Sequence, residues 1–124
     1  MNDAIALVEQ RTYLLAAGQT SAYLKLYESE GFALQIEILQ HLLGYYSVEV
    51  GELNTVVHLW GFSSHAEREA RRARLQSSPG WQSYWGKVRP LVLNQRSAFL
   101  KPAPFFAQRL QALATAGASL SPLS

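Results

Sequence analysis

Apolar and polar positions alternate in the first stretch of this chain. From Ile5 to Leu15 the run Ile-Ala-Leu-Val-Glu-Gln-Arg-Thr-Tyr-Leu-Leu sets β-forming residues at alternate positions, with Gly18 soon after to turn the chain. That pattern predicts a first strand. Successive strand side chains point to opposite faces, so Glu9, Arg11 and Tyr13 share one face, and Val8, Gln10 and Thr12 the other. The period then lengthens. Tyr23, Leu26 and Tyr27 fall at i, i+3 and i+4 behind a Thr20 or Ser21 cap, Gly31 interrupts, and Leu39, Leu42 and Leu43 continue a helical stretch from about Phe32 that Gly44 is placed to end.

Two further alternating runs, Tyr45 to Val50 and Thr55 to Phe62, are separated by Gly51-Glu52-Leu53-Asn54, which predicts a β-hairpin. Ser64-His65-Ala66-Glu67 has the capping-box pattern and starts a helix to about Gln76. Ser77-Ser78-Pro79-Gly80 breaks it, Pro79 suits the first turn of a new helix, and Trp81, Tyr84, Trp85 and Val88 repeat at helical spacing. Pro90 ends that helix, and Asn94 to Lys101 reads as a last strand. The order is the βαββαβ pattern of an α+β, ferredoxin-like domain with a four-stranded antiparallel sheet. The expected division is a domain over residues 1–104 and a tail over residues 105–124. The tail carries Phe105-Phe106, which can dock across a protomer or cover a sheet edge, a short amphipathic helix around Ala107 to Ala114, and an end frayed from about Gly117.

Six groups of residues fall in the order and at the spacing of one family. Glu9-Gln10-Arg11-Thr12-Tyr13 with Gly18 is followed by Gly44-Tyr45-Tyr46. Then come Gly51-Glu52-Leu53-Asn54-Thr55-Val56-Val57-His58-Leu59-Trp60 and Ala66-Glu67-Arg68-Glu69 with Arg71-Arg72. Trp81-Gln82-Ser83-Tyr84 and Lys87-Val88-Arg89-Pro90-Leu91 complete the set. Over roughly residues 5 to 104 the chain resembles the NIPSNAP family. The resemblance implies a protomer whose sheet meets that of a second copy in a dimeric α/β barrel, and it implies no particular reaction. The wider barrel group includes cofactor-free monooxygenases and haem-associated proteins, so an enzyme name would rest on fold analogy alone.

Composition narrows the picture further. At 124 residues and 48% hydrophobic, the chain has room for one core, and a net charge of +2 with 16% charged residues is that of a folded chain. The absence of cysteine excludes disulfides, thiolate nucleophiles and Cys-bound metals. The pI near 9.1 does not imply nucleic acid, because Arg68, Arg71, Arg72 and Arg74 are interleaved with Glu67 and Glu69 as a solvated helix face, from which only Arg71 or Arg72 reaches a pocket mouth. The first residues lack a basic leader and the apolar stretch stops at Glu9, which predicts a cytoplasmic protein with no membrane partner. His41, His58 and His65 lie on different elements, so no metal is expected. No cofactor motif is present either.

The candidate chemistry sits on the first and third strands, which are neighbours in this topology. Glu9, Arg11, Tyr13, His58 and Trp60 share one face and form the expected ligand-binding set. Arg11 can hold an anion bidentately, Tyr13 and His58 are the candidates for proton exchange, and Trp60 offers a flat wall. With Val57 and Leu59 assigned to the helices, this aromatic face needs a partner, which predicts a homodimer enclosing the group. Three readings remain open: Glu9 and Arg11 simply satisfy each other or a partner-chain charge at the dimer interface, with His58 hydrogen-bonded in the core; the group holds a small apolar or anionic ligand; or it catalyses a cofactor-independent oxygenase or isomerase reaction. At helical spacing, Trp81, Tyr84 and Trp85 read as core.

Overall fold

In the computed structural model, which describes residues 4–118, the chain forms β1 (Leu7–Leu15), α1 (Thr20–Leu26), a single π-turn (Tyr27–Gly31) and α2 (Phe32–Leu39). β2 (His41–Ser47), β3 (Thr55–Phe62), α3 (His65–Gln76), α4 (Pro79–Val88), β4 (Val92–Leu100) and α5 (Ala107–Ala118) follow. The strands form one antiparallel sheet in the order β2-β3-β1-β4, the ferredoxin-like arrangement. Most of the predicted frayed end lies outside the described residues.

Local chemistry accounts for most boundaries. Ser64 caps α3 by accepting from the Glu67 amide at 3.1 Å, while the Glu67 carboxylate takes the Ser63 amide at 2.8 Å, one residue earlier than a standard capping box. Ser78 and Pro79 open α4 together. The boundary between α2 and β2 differs most from expectation. α2 stops at Leu39 because Gln40 turns left-handed (φ 75°), and β2 begins at His41, so Gly44 lies inside a strand. A side chain at Gly44 would come within 2.6 Å of the Tyr46 ring, which explains a glycine there.

Register assigns the faces. Glu9 pairs with Trp60, Arg11 with His58 and Tyr13 with Val56, so these six side chains point the same way. That way is toward the helices: Tyr13, Val56, Trp60 and Phe62 pack with Tyr23, Tyr27, Leu75, Trp81, Tyr84 and Val88 in the main core. The expectation that Val57 and Leu59 meet the helices is therefore corrected. They lie on the opposite face with Val8 and Gln10. There α5 covers one end, where Leu110 and Phe106 pack on Ile5, Val8 and Leu59 and the Gln111 amide clamps both backbone groups of Ile5 at 2.8 and 3.0 Å. Of the adjacent phenylalanines, Phe106 docks on the protomer's own sheet and Phe105 is exposed.

Candidate functional site

The five residues read from the sequence are together, between sheet and helices rather than on an open surface. Glu9 is fully buried and is the hub of an ion-pair network. Arg68 on α3 grips it bidentately at 3.1 and 2.9 Å, and Arg11 Nη1 donates to it at 2.9 Å. Burial works to raise the Glu9 pKa, but the two guanidinium groups outweigh it and hold the carboxyl below its usual range. Arg11 spends its remaining N–H groups on Tyr13 Oη (3.1 Å), Ser97 Oγ (3.2 Å) and Gln95 Oε1 (3.3 Å), which fixes its plane. The mutual satisfaction of Glu9 and Arg11 therefore occurs within one protomer and recruits Arg68.

His58 is held differently. The Trp60 indole N–H donates to His58 Nδ1 at 2.7 Å, Tyr45 stacks on the imidazole at 4.6 Å, and Tyr13 meets it edge-on at 4.9 Å. Accepting at Nδ1 places the proton on Nε2, which is buried without a hydrogen-bond partner. Burial, reinforced by the charges of Arg11 and Arg72, lowers the His58 pKa to about 3. At neutral pH the ring is a neutral donor.

A cavity of about 400 Å³ opens beside this group, between β1, β4, α3 and α4. Arg11 and Tyr13 form its floor, Arg72 and the indoles of Trp81 and Trp85 its walls, and the exposed Gln76, Gln82 and Gln95 its rim. The indoles lie nearly parallel at 6.4 Å, and Trp85 meets the Tyr13 ring at 6.1 Å. Of the expected set, only Arg11 and Tyr13 line this cavity; Glu9 orients Arg11 from behind, and His58 and Trp60 form the packing beneath.

Sequence reasoning assigned Arg68, Arg71 and Arg72 to a solvated face, with Arg71 or Arg72 able to reach a pocket mouth, and Trp81 and Trp85 to the core. Arg68 instead reaches Glu9 and Arg71 donates to the Ile38 carbonyl at 3.1 Å, while Arg72 is the one that enters the cavity. The signal was present: Leu75 is the one large apolar residue in α3, so its inward stripe at i−3, i−4 and i−7 consists of Arg72, Arg71 and Arg68. Trp81 is indeed core, and it also faces the cavity.

Among the described residues no group of three or more His, Asp or Glu could hold a metal ion, and no helix is long and apolar enough to cross a membrane.

Comparisons with known proteins agree with this geometry. The NIPSNAP family profile matches residues 8–107. A solved NIPSNAP family protein of unknown function from Agrobacterium tumefaciens is 41% identical, with a TM-score of 0.80 over 84% of this chain and 94% of that one. A NIPSNAP-like domain protein from Burkholderia xenovorans is 37% identical, with a TM-score of 0.80 over 82% and 89%. A curated NipSnap protein of Caenorhabditis elegans is 26% identical over 95 residues, 77% of this chain, and the match spans 18% of that protein's length.

Proposed function

Since this chain belongs to the NIPSNAP family, we propose that it is a homodimeric small-molecule-binding protein whose ligand enters the cleft between sheet and helices of each protomer. One observation carries the reading: a cavity of about 400 Å³ in which polar groups of Arg11, Tyr13 and Arg72 converge beside two indole walls. Its size and its mixture of apolar walls and a few oriented polar groups are those of ligand pockets. The ion-pair network behind Arg11 holds the floor rigid without ligand, which lowers the ordering cost of binding.

The dimer has separate support. β4 is an edge strand exposed along nearly its whole length, and on the open face its Leu100, in register with Val8, is 40% accessible. Beyond α5 the open face also presents Tyr46 and Val57, in register beside Thr12 and Arg96. A second copy laid on this face would cover it without touching the cleft residues on the other side.

The enzyme reading draws on the unpartnered His58 Nε2, a donor with nothing to donate to. That atom belongs to a ring behind the cavity wall, so the binding reading is preferred. The test is to purify the protein from its own host, measure its mass by light scattering, and analyse the small molecules released on denaturation. A dimer that releases a compound, with Trp85→Leu folded but empty, is the expected result. A wild type that releases nothing, or a Trp85→Leu variant that still carries the compound, would contradict it.

A further inference from the structure

Resting on that reading of the cleft, the geometry points to the chemical class of its occupant: we infer that the cleft takes a planar aromatic monocarboxylate, with Arg72 as the group that selects its charge.

The argument begins with charge balance. Arg11, Arg68 and Arg72 bring three guanidinium groups to this region, against the two carboxylates Glu9 and Glu69. Glu9 is shared by Arg11 and Arg68, and Glu69 pairs with Arg68. Among the described residues Arg72 forms no ion pair, and its Nη1 is closed off from solvent without an acceptor. A guanidinium stays charged in proteins, and a half-buried charge without a counter-ion is costly, so this fold bears a cost that an anion in the cavity would offset. Burial, then the neighbouring charge of Arg11, push the Arg72 pKa down, as expected of an uncompensated cation.

One positive charge is left over, which suits a monoanion better than a phosphate dianion. A carboxylate offers a planar fork that a guanidinium edge can hold bidentately, and it does so with a single charge. The remaining walls describe the rest of the molecule. Trp81, Trp85 and the Tyr13 ring form flat apolar surfaces within the same cavity, against which an aromatic ring can lie. The rim glutamines offer amide donors and acceptors but no second charge.

The test is calorimetric titration of the whole protein with benzoate, phenylacetate and 2-naphthoate, each beside its neutral amide, and with inorganic phosphate. At least one acid should bind once per protomer, its amide about tenfold or more weakly, and phosphate should not displace it. Arg72→Met should weaken the acid about tenfold or more, leave its amide unchanged, and raise the melting temperature of the empty protein, because it removes an uncompensated half-buried charge. Arg72→Lys should restore part of the acid binding, and it serves as the comparison if Arg72→Met fails to fold. A merely structural Arg72 would give the opposite melting shift and no change in selectivity. Acid and amide binding equally, with Trp85→Leu abolishing both, would overturn the charge assignment and leave the cleft reading standing. Failure of the whole panel, with a neutral molecule released from host-purified protein, would have the same meaning. Failure of the panel with nothing released would overturn both.

Discussion

His58 is neutral inside the fold and ionisable outside it, which ties stability to pH. Its folded pKa of about 3 lies below the ordinary 6.5, so between these values the unfolded chain binds a proton that the folded one refuses. The stabilisation is complete above pH 6.5 and is lost as pH falls. Between pH 6.5 and 4.5 the loss amounts to about 2 kcal/mol. Below pH 4.5 Glu9, whose carboxyl is held below its usual range, adds a loss of the same sign. In His58→Gln the amide oxygen can still accept from Trp60, and urea midpoints measured across pH 6.5 to 4.5 should show the first slope flattened. At this scale the sequence showed which side chains stand together. Glu9, Arg11, Tyr13, His58 and Trp60 do share one face, because strand alternation leaves no choice about it. Arg72 was legible only as one of two arginines that could reach a pocket mouth, since charge run and solvent face look alike until the scarcity of apolar residues in α3 is taken into account.

The π-turn between α1 and α2 shows how one element constrains its neighbour. An added Cβ at Gly31 would come within 2.9 Å of Tyr84 Cζ and 3.0 Å of Tyr27 Cδ1, both rings buried in the main core. Gly31→Ala should therefore destabilise by about 1–3 kcal/mol through overpacking. Gly86→Ala, with nothing within 4 Å and inside α4, should stabilise by about 0.5–1 kcal/mol through backbone entropy. Chemical denaturation of the two variants side by side checks the contrast. Elements were legible wherever caps and periodicity agreed, as at β3, α3 and α4. Which sheet face the helices cover was not. Val57 and Leu59 are as apolar as Val56 and Trp60, and both faces are covered, one by α1 to α4 and the other in part by α5. The contrast between a wet and a dry face that normally decides the question is missing. The charges of Glu9 and Arg11 pointed the wrong way, because their pairing with Arg68 could not be read from spacing alone.

For the molecule as a whole, the layer order separates two surfaces that the sequence had merged. The proposed ligand cleft lies between helices and sheet, and the proposed dimer contact lies on the sheet's other side. Binding and dimerisation should then be separable. Val57→Glu places a charge in the middle of the open face, next to Thr12 and Tyr46 in register, and should yield a folded monomer. The most direct measurement is native mass spectrometry of this variant purified from the protein's own host. A single 13.8 kDa chain retaining one small molecule is the expected result. A folded but empty monomer, beside a wild-type dimer that carries its ligand, would place the site between the two sheets and contradict the account.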